Sequence, residues 1–597
     1  MCGIAGVAGP GVSQGDVDRA VFSLRHRGPD AEGTATGMGW ALGHTRLSIV
    51  DLSAAGNQPI SNEDGSLIMV FNGEIYNSPE LRRLCEAKGH RFRSDMDGEV
   101  ILHLWEMEGT AALSLLNGIF AVAVVSTTTG QITLARDPLG VKPLFYSSRE
   151  GDRLWFASEL SALAAIGVPL GAHDQVALAQ FLSFLWVPDP RTPFQGAKAV
   201  EPGHALTFVD GRTSQHPYGE PLVPASGQQF DYARPQAVVE LRERFAAAAR
   251  RQLLSDVPVG LMASGGIDSS LIWWATRDHL TRAYTIRWSA DEGGGGERLS
   301  EDAAAVVGLE ASFGTPVEFL EGEAAEDQPL PPSGDLFADP AYELTRQIAR
   351  AARDEGHKVL FSGQGGDELF AGYRRHSVAL WVNRIRLGRG GTAAERAVLE
   401  AGRRTGKGGT SVEYSARLAR AMAERDPFRA YMQLCTYSTA RDRAEALGCE
   451  EAEVADDVVW QRHQEVYDNL PAGLSFLRKA MMLDLRVYLP GLGLAYVDRA
   501  GMEFGVEVRV PWLDLELTRW SLRLPDSLLV HHGRRKWLPK ALATEVLGRS
   551  MARRPKRGFA APARRLAGHP SPQGERGFRQ GLYFARARGI LDSFLRS

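Results

Sequence analysis

A cysteine stands at position 2, directly behind the initiator methionine. The small Cys side chain permits removal of Met1, which would put a thiol and a free α-amino group on one residue. An α-amine with a pKa of about 8 can take a proton from the thiol or from water, so Cys2 can supply both nucleophile and general base. Taken alone, a cysteine at this position is more often incidental. A second pattern is LMASGGIDSS, Leu261 to Ser270, where Gly265 and Gly266 let backbone N–H groups face outward at a helix start beside the hydroxyls of Ser264, Ser269 and Ser270. That is an anion cradle, without the GxxxxGK(S/T) order of a Walker loop. Its Asp268, read in isolation, is a helix N-terminal carboxylate opposing the macrodipole. A third is SGQGGDELFAGY, Ser362 to Tyr373, with glycines around adjacent carboxylates Asp367 and Glu368 and an amide, Gln364, in third place.

These groups need elements to hold them. Up to about residue 210, β-type runs such as LIMVFNGEIYN, IFAVAVVS, ITLARD and LWFASE alternate with a few helical stretches, SPELRRLCEAKG and DGEVILHLWEMEG, which predicts a sheet-rich α+β domain over 2–210. The stretch DGRTSQHPYGEPLVPASGQQFDYARPQ is rich in Pro, Gly and polar residues and predicts a linker at 211–235. Beyond it, helix, buried strand and Gly-rich turn recur, in AVVELRERFAAAARRQLL, VPVGLMASGGIDSSLIWWATRDHL, AYTIRW and AARDEGHKVLF. Such alternation predicts an α/β domain with a parallel, doubly wound sheet over 236–597, largely helical in its later part. LGRGGTAAERAVLEAGRRTGKGGT, rich in Gly and Arg, reads as a surface connection.

With 597 residues, two or more domains are expected. A formal net charge of −4 gives no electrostatic reason to expect nucleic acid or an anionic membrane as partner, which leaves small molecules. The four cysteines lack metal-ligand spacing and fit a reducing compartment. MCGIAGVAGPG has no signal-peptide character, and the apolar runs such as IFAVAVV fall short of the roughly 20 residues that span a bilayer, so a cytoplasmic location is expected.

MCGIAG, LRHRGPD, HTRLSIVDLSAAGNQP, FNGEIYN, SDMDGEV and ARDPLGVKPLFY, in that order and spacing, resemble the glutaminase domain of class II glutamine amidotransferases, an N-terminal nucleophile fold with an αββα sandwich. The resemblance implies that Cys2 attacks the side-chain amide of glutamine, that Asn72 and the backbone N–H of Gly73 form the oxyanion hole, and that Arg46 clamps the glutamine α-carboxylate. It places Leu47, Ser48, Ile49 and Val50 beside Arg46 in the glutamine site, with Glu74 and Asp97 on the α-ammonium. Asp95 competes with Asp97 for that role. Read without the resemblance, Asn72-Gly73 is a hairpin turn and Arg46 a surface ion pair.

SGGxDSS resembles the pyrophosphate loop of enzymes that split ATP into AMP and pyrophosphate. The resemblance makes Asp268 and Asp367 ligands of Mg²⁺, a hard cation that takes oxygen donors. VDRAGMEFGVEVRVPWLD, GRRKWLPKALA and RRPKRGFAAP continue the match to about Pro562 and point to Lys536 for charge on the α-phosphate, although a run such as GRRK is more often a solvated surface. Met262, Ile286, Ser362 and Gly363 fall where that family contacts adenine and ribose.

A glutaminase domain ahead of this ATP-pyrophosphatase domain is the arrangement of glutamine-dependent asparagine synthetases. The chain is identified as resembling that family, which implies glutamine, ATP and a carboxylate such as aspartate as substrates, and is compatible with a homodimer. Relatives also amidate other carboxylates or close rings, as β-lactam synthetases and lasso-peptide cyclases do, and an inactive binding homologue would share the fold. Retention of Cys2, Arg46, Asn72, Gly73 and Glu74 favours amide transfer over cyclisation. Gln364 departs from the SGEGxDE of asparagine synthetases, and an amide cannot act as a base. SGQGxDE is similar to members that amidate larger substrates, among them N-acetylglutaminylglutamine amidotransferases.

Overall fold

The computed structural model describes residues 2–148, 152–224, 230–287, 301–322, 330–382, 410–554 and 582–596. In chain order the strands are β1 (Gly3–Ala8), β2 (Ala31–Gly37), β3 (Trp40–Arg46), β4 (Ile60–Ser61), β5 (Leu67–Ile75), β6 (Gly118–Ser126), β7 (Ile132–Arg136), β8 (Phe145–Ser147), β9 (Leu154–Ala157), β10 (Lys198–Ala199), β11 (His204–Val209), β12 (Arg212–Pro217), β13 (Val259–Met262), β14 (Arg282–Arg287), β15 (Val317–Glu321), β16 (Val359–Phe361) and β17 (Glu507–Arg509).

The first twelve build two antiparallel sheets, ordered β10-β8-β9-β1-β3-β2 and β12-β11-β7-β6-β5-β4. Strand periodicity sorts their side chains into layers. Ile4 and Ala8 of β1, Leu42 of β3, Val70 of β5 and Ala121, Ala123 and Val125 of β6 meet between the sheets. The alternate residues face outward: Ala5 and Val7 pack under the helices Gln14–Ser23 and Leu160–Ile166, while Met69, Phe71, Val122 and Val124 pack under Val100–Glu108. The result is the expected αββα sandwich. Two sequence expectations change. Asn72 and Gly73 are mid-strand in β5, paired with Ala121 and Phe120, not a hairpin turn. Arg212–Pro217, expected in the linker, pairs with β11 as an edge strand, its polar and mostly exposed side chains tolerating one uncovered side.

β13 to β17 form a parallel sheet in the order β15-β14-β13-β16-β17. The chain leaves β13 first to one side and returns to the other through β16, so a crevice opens at the carboxyl ends of β13 and β16, the topological switch point. Both Gly-rich turns lie there. The stretch Phe476–Met502 is apolar and long enough to cross a bilayer by length and composition, and 89% of its most apolar window is buried in the fold. Its middle, Asp484–Gly493, is a π-helix containing Pro490. The wider turn accommodates a residue that cannot donate to the helical ladder. The Arg/Gly-rich stretch from Leu387 lies outside the described residues to Gly409, as does RRPKRGFAAP beyond Arg554.

Candidate functional site

At the first site, the backbone nitrogen of Cys2 donates to Asn72 Oδ1 at 3.0 Å. This fixes the Asn72 amide so that its Nδ2, fully buried, has no hydrogen-bond partner among the described residues. A buried, unpaired donor beside a thiol is what an oxyanion needs. Gly73 follows it where a Cβ would come within 2.0 Å of the Ile119 carbonyl oxygen, so no other residue lets β5 and β6 approach this closely. Burial pushes the Cys2 thiol up, partly offset by the N–H of Leu47.

Of the remaining expected glutamine contacts, Arg46, Leu47 and Glu74 lie close enough to act on the Cys2 thiol. Arg46 donates to the carbonyl oxygens of Ser53 (2.6 Å) and Asp51 and to Asn57 Oδ1 (2.8 Å), which bends residues 47–53 into a loop around its guanidinium. Ser48 N donates to Asp30 Oδ2 at 2.8 Å, and Ile49 O accepts from Asp256 N. Val50, in the same loop, is half-buried. The structure separates the two aspartates: Asp95 is exposed, whereas Asp97 is buried and accepts from Ile75 N at 2.5 Å. Burial lifts Asp97 to about 6, and burial with the neighbouring Asp97 charge lifts Glu74 well above the carboxylate range. Burial outweighs the nearby Arg509 charge at both acids, so each gains by meeting a further cation.

At the second site, Met262 ends β13 and Ile286 lies near the end of β14, both buried. Gly265 has φ +65°, and a Cβ there would come within 2.6 Å of the Asp302 carbonyl, so the turn requires glycine. Ser264 and Ser269 share a hydroxyl contact of 3.0 Å, and Ser270 Oγ donates to Gly266 O at 2.7 Å, at the start of the helix Ile267–Thr276. Ser362 N donates to Arg509 O at 2.9 Å, setting Ser362 and Gly363 at the end of β16. Between the turns, Lys536 Nζ pairs with Asp268 and lies 2.9 Å from Asp367 Oδ1. Carboxylates from both strand ends thus converge on one cationic group. Lys536 is buried rather than solvated, unlike most of its GRRK run. Glu368 turns away and accepts from the Tyr373 hydroxyl at 2.6 Å. Gln364 Nε2 donates to the Tyr496 hydroxyl at 2.5 Å.

Sequence reasoning gave no role to the residues between the sites. Arg27 is fully buried, with Nε 3.3 Å from Cys2 O, Nη1 2.8 Å from Glu159 and Nη2 3.0 Å from Asp498. Asp498 lies two residues beyond Tyr496 on the helix Leu494–Met502. Two residues rotate a helix by about 200°, so this one element presents Tyr496 to Gln364 and Asp498 to Arg27. Arg509, at the end of β17, lies 3.2 Å from Glu74 and 2.5 Å from Glu507. Although burial raises Glu507, the Arg509 charge holds it at about 2. Buried Lys142, 3.8 Å from Asp498, and neutral His44, pushed by burial to about 3, complete the surroundings. Arg27, Lys142, Glu159, Asp498, Glu507 and Arg509 all fall inside short motifs the sequence singled out, and charge within such motifs was the available signal.

Residues 1–219 match the glutamine amidotransferase domain family, and 240–571 match the asparagine synthase family. Glutamine-hydrolyzing asparagine synthetase 1 of Bacillus subtilis is 29% identical over 94% of this chain and 87% of its own length. A putative glutamine-hydrolyzing asparagine synthetase of Mycobacterium bovis is 31% identical over 94% and 88%. A solved structure of the allosteric regulatory enzyme of purine biosynthesis covers 55% of this chain and 82% of its own at 18% identity, with a TM-score of 0.30.

Proposed function

The chain belongs to the asparagine synthase family, with a glutamine amidotransferase domain ahead of the synthase domain, and from that premise we infer that it moves the side-chain nitrogen of glutamine onto a carboxylate activated by ATP. In this reading the glutaminase unit extends through Pro217, and the synthase unit begins near Arg234.

Cys2 Sγ would attack the amide carbon of glutamine. The charge that develops on oxygen would meet Asn72 Nδ2 and the Gly73 N–H. The α-amine of a processed Cys2 would take the thiol proton and pass it to the departing nitrogen, leaving a thioester for water to cleave. Arg46 and the Leu47–Val50 loop would hold the α-carboxylate, and Glu74 and Asp97 the α-ammonium.

At the second site Ser264, Gly265, Gly266, Ser269 and Ser270 would cradle the outgoing phosphates, with Met262, Ile286, Ser362 and Gly363 around the nucleoside. Asp268 and Asp367 suit Mg²⁺, since two carboxylates already converge on one cation here; when bound, it would neutralise phosphate charge. The substrate carboxylate would attack the α-phosphorus with loss of pyrophosphate, and Lys536 would oppose the charge gathering there. Ammonia would then displace AMP from the acyl carbon. Passage through the protein interior keeps ammonia unprotonated and nucleophilic.

The observation that carries this reading is the helix Leu494–Met502, which joins the surroundings of Cys2 to those of Gln364 as one rigid element. Aspartate, giving asparagine, is the first substrate of this reading. The Gln364–Tyr496 bond favours a second, in which a larger acid such as an acylated dipeptide is amidated, because the group at position 364 is an amide, which cannot act as a base in amidation of aspartate. The test supplies glutamine, Mg²⁺ and ATP with a panel of acids and follows AMP and pyrophosphate. Release with aspartate supports the first reading; silence with aspartate and release with another acid supports the second; silence throughout overturns both.

A further inference from the structure

Outside both sites, four side chains of the glutaminase domain converge: Glu63 between β4 and β5, His90 just after the helix Ser78–Ala87, and His103 and Glu106 on the helix Val100–Glu108. His103 and Glu106 are three residues apart, so they share a helical face. One ligand atom from each of the four lies within 4.8 Å of every other.

The individual spacings are informative. His90 Nδ1 is 3.3 Å from Glu63 Oε1 and 3.5 Å from Glu106 Oε2, and His103 Nδ1 is 3.2 Å from Glu63 Oε2. A tetrahedral ion with bonds of 2.0–2.2 Å has ligands about 3.3–3.6 Å apart. The second observation is His103 itself. It is 1% exposed, yet neither ring nitrogen has a hydrogen-bond partner among the described residues. Its Nε2 stands 3.6 Å from Glu99 Oε1, and its Nδ1 points into the cluster. This buried imidazole meets a carboxylate at each nitrogen but makes a well-directed hydrogen bond at neither, which leaves Nδ1 placed to take a ligand inside the cluster.

The other bonds of the cluster leave the inward atoms available. Glu63 Oε1 also accepts from Arg91 N at 3.0 Å, and Glu106 Oε1 accepts from Asn62 Nδ2. Glu63 Oε2 and Glu106 Oε2 remain directed at the imidazoles.

We propose that Glu63, His90, His103 and Glu106 form a structural site for a divalent transition-metal ion, best matched by Zn²⁺. Two imidazole nitrogens with two carboxylate oxygens suit zinc, whereas Mg²⁺ and Ca²⁺ take all-oxygen sets. With all four coordination positions filled by protein, the ion would have a structural role. The ion ties the β4–β5 connection to both ends of the segment from His90 to Glu106. That segment carries Asp97, and within it Glu99 accepts from Arg93 N and Ser94 N at 2.7 and 2.9 Å.

The test uses the full chain in a Cys2→Ala background, which removes the N-terminal thiol as a competing ligand. After chelator treatment and dialysis against micromolar Zn²⁺, elemental analysis should find one zinc per chain, and Co²⁺ in its place should give the strong visible absorption of a four-coordinate ion. His90→Asn and Glu106→Gln, both at partly exposed side chains, should keep the circular dichroism spectrum and weaken Zn²⁺ by at least the roughly 10- to 100-fold that even an outer-sphere change costs a metal site. Absence of retained zinc in the parent chain, or unchanged affinity in the folded variants, overturns the proposal.

Discussion

Arg27 and Asp498 form an ion pair, Nη2 to Oδ2 at 3.0 Å, buried on both sides between the glutaminase sandwich and the helix that reaches Gln364. Removing Asp498 leaves Arg27 with Glu159 alone and takes a carboxylate from buried Lys142 and Arg499, a loss approaching the roughly 3–5 kcal/mol of a broken buried pair. Asp498→Asn should therefore lower the unfolding midpoint markedly. It should also loosen the link between sites, so that the ratio of glutamate released to AMP formed rises above that of the parent enzyme. A variant with unchanged stability would show that water or a rearranged Glu159 compensates Arg27.

Asn72→Ala removes the unpaired Nδ2 donor. Loss of one oxyanion donor costs about 10²–10³ in kcat, so glutamine hydrolysis should fall by that factor with little change in KM. Activity driven by added ammonium should persist, because the second site is untouched. Equal loss with ammonium would place the effect in folding instead.

In the proposed reading, Asp97 would couple glutamine binding to pH. Burial raises its folded value to about 6 from an ordinary 3.8, so the native state binds more protons than the unfolded chain between those values. The stabilisation is complete below about pH 4 and is lost as pH rises through 6. The ammonium of glutamine calls for the opposite, charged state. KM for glutamine should accordingly rise as pH falls from 7 to 5, and Asp97→Asn should flatten the stability slope between about pH 4 and 6. Chemical denaturation across pH checks the second, and initial rates the first.

Lys536→Met removes the cation shared by Asp268 and Asp367. Pyrophosphate release should drop by about 10² or more, while glutamine hydrolysis measured without ATP stays near the parent rate. Asp268→Asn should weaken ATP use mainly at low Mg²⁺ and recover in part as Mg²⁺ is raised, a pattern that a purely structural loss does not produce.

The sequence by itself determined the local chemistry of this protein. A cysteine at position 2 and two Gly-rich turns behind buried strands are set by neighbours in the chain, so periodicity and motif order expose them. It also carried the layered N-terminal fold, because period-two alternation in β1, β5 and β6 sorts side chains to opposite faces without outside help. Tertiary structure alone decided what depends on distant partners. It separated buried Asp97 from exposed Asp95, made Asn72-Gly73 a strand interior, and drew Asp268 and Asp367 onto Lys536. It also buried Arg27 against Asp498, and His103 among Glu63, His90 and Glu106. A charged or imidazole side chain looks the same in sequence whether solvated or enclosed. Burial decides which it is, and burial is fixed only when remote segments pack.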